Sequence, residues 1–192
     1  MRKVLHACGW RPAVLQDLVY FQRGYDITKG EQKPGDIPVV SSSGVNSYHS
    51  EAKVIGPGVV IGRKGSLGTV YYIDGSYWPH DTTLWSRDFK GNFPKYVYYY
   101  IRTLGLERYD VGNSNPTLNR NHIHGLNVQI PERSIQERIA SILSAYDDLI
   151  ANNRRRIQLL EEAARLLYQE WFVRLRFPGH EHAKIKDGIP EG

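Results

Sequence analysis

The chain has 192 residues, 41% hydrophobic and 11% aromatic, enough for one globular domain and one further long element. A formal charge of +5 at pH 7 favours a polyanionic partner, and the single cysteine, Cys8, excludes a disulfide framework and a cysteine zinc site, as suits a reducing cytoplasm. No apolar run approaches a membrane span, and the N-terminus lacks the core of a signal peptide.

In chain order, residues 1–132 read as β-rich and heavily turned. Ile37–Val40 is a short strand. Gly58–Gly62 is another, closed by glycine at both ends. Gly68–Ile73 is a third, followed by an Asp74-Gly75 turn. Thr82–Trp85 is a fourth. Residues Pro94–Leu106 form a short helix with proline in its first turn. Leu126–Ile130 is a last strand leading into Pro131. The expectation is a small, irregular mixed domain.

Residues 134–176 then read as one long helix, about 65 Å at 1.5 Å per residue. Strides of three and four follow a seam through Ile139, Leu143, Tyr146, Ile150, Asn153, Ile157, Leu160, Ala164, Leu167 and Trp171. That is a coiled-coil heptad, broken only by Asn153, whose amide favours another amide opposite and so fixes register. Ser134 and Glu137 have the spacing of a capping box, and Phe177-Pro178-Gly179 stops the helix. No other segment of the chain matches it in length, so a partner helix is expected. The fold class is α+β: a small β-rich domain over 1–132, a coiled-coil helix over 133–177, and a linker over 178–192. Gly9-Trp10 near the start and the Gly192 ending read as the two ends of a repeating module.

Gly62-Arg63-Lys64-Gly65-Ser66-Leu67-Gly68 sets two cations on a glycine-rich turn between strands. It reads equally as a phosphate contact and as a solvated hairpin, and its spacing is not that of a P-loop. Ser41–His49 and Gly112–Asn121 are polar loops able to meet base edges, or simply to be loops. His80-Asp81 lacks an activated nucleophile and reads as structural. His122 and His124 lack a third ligand, so no metal site is expected. With no Walker A sequence, no G-x-G-x-x-G and no nuclease-like cluster, the chain reads as a binder and not an enzyme.

Several segments, in order, resemble the DNA specificity (S) subunit of Type I restriction-modification systems. They are Gly35-Asp36-Ile37-Pro38, Ser42-Ser43-Gly44, Gly62 to Val70, Trp78 to Thr83, Gly112 to Asn119, Ile130-Pro131 with Gln136 to Ala140, and Leu159 to Gly179. The resemblance implies a target recognition domain over 1–132 that reads one half of a split DNA site. It implies a conserved-region helix over 133–177 that spaces two such domains and docks a methyltransferase (M) subunit. S subunits of this kind carry two of each element; this chain has one of each. The chain is therefore expected to be either a natural half-subunit or one half of a full-length S subunit; a half-subunit is expected to pair as an antiparallel homodimer and to read an interrupted palindrome on double-stranded DNA.

On this basis Arg63, Lys64 and Ser66 hold phosphate. Ser43, Asn46, Tyr48, His49, Asn113, Asn115, Asn119 and Arg120 are the candidates for base readout. The chain itself needs no cofactor. S-adenosylmethionine belongs to the M subunit, which methylates adenine, and ATP with magnesium belongs to a restriction (R) subunit where cleavage occurs. The alternative is a coiled-coil dimeric regulatory DNA binder that recruits no methyltransferase.

Overall fold

The computed structural model describes residues 9–109 and 117–190. Cys8, Asn113 and Asn115 lie outside them. Contacts divide the chain after Leu143.

The first unit is built on an antiparallel sheet in the order β2-β8-β5-β6. Its central strand is β5, Gly58–Gly62, where every residue is buried. A continuous apolar run without alternation suits a strand covered on both faces. β8, Thr83–Asp88, and β6, Val70–Ile73, flank it, and β2, Tyr20–Arg23, lies outside β8. Helix α2, Pro94–Arg102, starts with proline in its first turn, as expected, and buries Tyr96, Val97, Tyr99 and Ile101. These pack with Val59, Ile61 and Leu84 of the sheet and with Leu15, Leu18 and Phe21.

A second sheet, β4-β3-β7, joins β3 (Ile37–Ser41), β4 (Gly44–His49) and β7 (Trp78–Pro79). Here the expected Ser41–His49 loop is instead a hairpin. Gly44, at φ 103°, turns the chain, and β4 returns antiparallel along β3. Its polar sequence reflects an outward face: Val45, Asn46 and Tyr48 are exposed.

Two further elements had no sequence expectation. β1, Trp10–Val14, pairs antiparallel with β9, Asn127–Pro131, from Trp10 opposite Pro131 to Val14 opposite Asn127. The single turn α1, Leu15–Leu18, follows and buries both leucines. Arg120 and Asn121, the end of the expected Gly112–Asn121 loop, instead open α3, Arg120–His124, capped by the Asn119 side chain, which accepts from the Asn121 N–H at 2.9 Å.

The long helix, α4, spans Arg133–Tyr168, 36 residues or about 54 Å, and continues as a π-turn over Gln169–Val173. Two details differ from the sequence reading. Ser134 already lies inside the helix, and Glu137 pairs with Arg133 at 2.7 Å, so there is no capping box at Ser134. At the other end, Leu175 turns out of the helix at φ 54° before Pro178 is reached, while Glu170 pairs with both Arg174 and Arg176.

The root of α4 belongs to the first unit. Gln136 and Ala140 are buried and Ile139 packs on the core, so the first position of the expected seam serves the domain. Gln136 Nε2 donates to Asn92 Oδ1 at 2.7 Å and to the Pro131 carbonyl at 2.9 Å, and its Oε1 accepts from the Phe93 N–H at 2.8 Å. Asn92 Nδ2 in turn donates to the carbonyls of Leu18 and Phe89, at 2.9 and 3.0 Å.

In the second unit the remaining aliphatic seam residues Ile150, Ile157, Leu160 and Leu167 are 47–67% exposed, as is Tyr146 at 62%. The tail carries a 3-10 turn at His180–His182 and a hairpin pairing Ile185–Lys186 (β10) with Ile189–Pro190 (β11), not a structureless linker.

Replacing Gln136 by alanine strands a buried N–H and two acceptors and should lower unfolding stability by about 3 kcal/mol. Urea denaturation of the Gln136→Ala chain, followed by tryptophan fluorescence, measures this.

Candidate nucleic-acid interface

The glycine-rich turn after β5 is tied to two distant segments. The N–H groups of Arg63 and Lys64 both donate to the Thr82 carbonyl, at 2.8 and 3.1 Å. The Arg63 carbonyl accepts from the Leu118 N–H at 2.9 Å, and Lys64 bridges to Thr117. Within the turn, the Gly68 N–H donates to the Gly62 carbonyl at 3.0 Å. The loop folds so tightly that a Cβ on Gly62 would run into the Ser66 carbonyl and the Thr69 hydroxyl. Thr69 Oγ1 donates to the Ser42 carbonyl at 2.7 Å, and the Ser42 N–H donates to Thr82 Oγ1 at 3.3 Å. Segments that are far apart in sequence therefore meet around one turn.

Between them lies a cleft of about 320 Å³ lined by Arg23, Arg63, Leu84, Thr117, Asn119 and Arg120. Three guanidinium groups facing one cleft repel one another. The consequence is visible at Arg63: burial, then the charge of Arg23, lower its pKa, and Asp81 opposes them. Asp81 is the counter-charge. Its carboxylate accepts from Arg23 Nη2 at 2.8 Å, lies 3.9 Å from Lys64 Nζ and 3.1 Å from His80 Nδ1. Asp26, His80 and Asp81 also place ligand atoms within 4.8 Å of one another. With Arg23 and Lys64 already on Asp81, this cluster is a hub of ion pairs, and a divalent cation would have to displace them.

Of the phosphate candidates, Arg63 is half-buried in the cleft while Lys64 and Ser66 are exposed beside it. Asn119 and Arg120 line the cleft, although Asn119 Oδ1 is committed to capping α3. Ser43, Asn46 and Tyr48 are exposed on the β3–β4 hairpin, whose turn touches the glycine-rich loop through Ser42. His49 is turned inward. It is 4% exposed, its Nδ1 accepts from the Lys33 N–H at 2.9 Å, and its ring sits edge-on to Trp78. It braces the hairpin and is not presented for base contact. Sequence reasoning missed Arg23, which stands alone in its segment. Its one sign was the following glycine: a Cβ on Gly24 would strike the His80 carbonyl.

His124 closes α3 against β2. Its Nε2 accepts from the Phe21 N–H at 3.0 Å, so the ring is neutral, and burial followed by the charge of Arg120 lowers its pKa from 6.5. A depressed folded value means that the unfolded chain takes up the proton first. The contribution of His124 to stability is therefore fully present above about pH 6.5 and is lost as pH falls through the folded value below it. Denaturant midpoints measured from about pH 8 down to pH 5 should fall for the wild-type chain and fall less steeply for His124→Gln.

Residues 9–162 match the protein family described as Type I restriction modification DNA specificity domain. The Type I restriction enzyme MjaIX specificity subunit of Methanocaldococcus jannaschii is 31% identical over 87 residues, 43% of this chain and 20% of that protein. The Type I restriction-modification S subunit from M. genitalium superposes with a TM-score of 0.73 at 16% identity, covering 94% of this chain and 50% of that one. The HsdS subunit from Thermoanaerobacter tengcongensis superposes with a TM-score of 0.60 at 14% identity, covering 81% and 42%. The chain thus spans half or less of the length of these relatives.

Proposed function

The chain belongs to the Type I restriction modification DNA specificity family, and from that premise we propose that it is a non-catalytic module that recognises one half of a bipartite site on double-stranded DNA. The observation that carries this reading is the cleft, where Arg23, Arg63 and Arg120 meet Thr117 and Asn119 with Lys64 alongside. Cations supply sequence-independent, salt-sensitive affinity. Amides, hydroxyls and guanidinium forks discriminate base edges. The exposed residues of the β3–β4 hairpin, Ser43, Asn46 and Tyr48, extend the same surface.

Helix α4 provides the spacing. Its seam through Tyr146, Ile150, Ile157, Leu160 and Leu167 is exposed and fits a second copy of the chain packed antiparallel, which would set two recognition domains on an interrupted palindrome. Leu159, Leu166 and Val173 are also exposed and recur every seventh residue. At 3.6 residues per turn Leu159 and Leu166 fall on the side of α4 away from that seam. This second face fits a methyltransferase subunit, with the stacked Tyr168 and Phe172, on the seam side near the helix end, as a further contact surface. That subunit would carry S-adenosylmethionine and the adenine chemistry, and a separate ATP-driven restriction subunit would carry cleavage.

Two outcomes test the division of labour. Lys64→Ala should weaken binding to all duplexes alike and reduce the salt dependence by about one phosphate contact. Fluorescence anisotropy against salt concentration reads this, and a changed base preference would contradict it. Leu160→Lys places a charge in the seam. Sedimentation equilibrium should find the wild-type chain dimeric at micromolar concentration and Leu160→Lys monomeric, with near-UV circular dichroism of the first unit retained and the concentration dependence of melting lost; a monomeric wild type would count against pairing. Light scattering with the cognate methyltransferase should find two copies of each, and a dimer that binds DNA but no methyltransferase would favour a regulatory binder.

A further inference from the structure

Asp81 has no obvious place in a surface that binds polyanions. Its carboxylate is 14% exposed and stands at the rim of the cleft among Arg23, Lys64 and His80. A negative charge there weakens attraction to phosphate at short range. It therefore needs a compensating role.

Its effect on Arg23 supplies one. The backbone of Arg23 is fixed by pairing with Leu84 across β2 and β8, and the next residue, Gly24, donates to the Thr83 carbonyl at 3.0 Å. The far end of the side chain is fixed by the 2.8 Å bond from Nη2 to Asp81 Oδ2. Yet the side chain is 53% exposed and lines the cleft. A phosphate clamp works through unbalanced positive charge and tolerates a mobile side chain. Arg23 differs: Asp81 offsets part of its charge, and its side chain is held at the backbone and at Nη2. That arrangement suits bidentate recognition of a guanine edge, where O6 and N7 accept from one guanidinium.

We propose that Arg23 is a specificity-determining residue that reads a guanine edge, and that Asp81 is the positioning residue that holds it in place. The inference rests on the DNA-recognition reading above. Asp81 also acts by exclusion, since its charge opposes binding wherever the guanine contact does not form.

The test is selection from a library of duplexes with a randomised stretch, followed by sequencing, using the full chain as wild type, Arg23→Lys, Arg23→Ala and Asp81→Asn. Thermal melts identify any variant that does not fold. The wild type should enrich a motif containing guanine. Both Arg23 variants should lose that guanine at one position, by on the order of tenfold or more, with the rest of the motif retained. Arg23→Lys keeps the charge and removes the fork, so it separates readout from attraction. Asp81→Asn should lose the same position while binding unrelated duplex a few-fold more tightly. An unchanged motif in Arg23→Lys, with all sequences weakened alike in Arg23→Ala, would make Arg23 a phosphate contact and overturn the proposal. If the wild type enriches no motif, the DNA-recognition reading itself falls, and this inference with it.

Discussion

The amide of Gln136 is the joint on which the architecture depends. In a buried site each of its polar atoms must find a partner, because an unpaired one loses its water without return. Its partners are Asn92, Phe93 and Pro131, so one side chain joins the first turn of α4 to the start of α2 and to the end of β9. Asn92 extends the connection to the last residues of α1 through the Leu18 carbonyl. Arg133 reinforces the joint from outside, donating to the Gly91 carbonyl at 2.7 Å and lying over the Phe93 ring. An apolar residue at this position could pack, but it could not fix which carbonyls and amides face one another. A helix proposed to space recognition domains needs that orientation at its root.

A comparable constraint organises the cleft. The guanidinium groups of Arg23, Arg63 and Arg120 come from β2, the turn after β5 and the start of α3. Bringing them together costs electrostatic energy, most visibly for half-buried Arg63. Asp81 offsets part of that cost, and the hydrogen bonds from the Arg63 and Lys64 backbone to Thr82 hold the turn against the same segment. Sheet pairing places the strands, a glycine-tight turn delivers two cations, and one carboxylate sets how firmly they are held. His124 couples this arrangement to α3, because the ring that ends the helix also bonds β2 two residues before Arg23.

The parts of the fold legible in the sequence were those with a strong local pattern. The apolar run Gly58–Gly62 is the central strand, Pro94 opens α2, and the heptad marks α4. Elements specified by partners far along the chain were not legible. β1 carries Arg11 and Pro12 and becomes a strand only because β9 lies beside it. β4 reads as a polar loop since half of its surface faces water. The cleft was partly legible: Arg63, Lys64, Asn119 and Arg120 stand in recognisable segments, while Arg23 joins them only through the β2–β8 pairing and Asp81. His49 shows the reverse error, since its place beside polar residues concealed an inward-facing ring.

Under the proposed function, recognition and spacing make different demands, and the two units divide them. Base discrimination needs donors held by packing and hydrogen bonds, which is why the cleft lies on β2, the β5 turn and α3, all covered by one core. The proposed spacing needs length and a surface open to another helix, and the seam beyond Leu143 carries exposed aliphatic side chains. Such a surface is unfavourable in the isolated chain, with Ile157 and Leu160 more than half exposed. Asn153 limits that cost by making one seam position polar, and in the proposed helix pair the same amide would penalise registers in which it faced an apolar residue. On the proposed reading, buried packing is therefore concentrated at the recognition cleft, and specificity of assembly is left to the exposed helix.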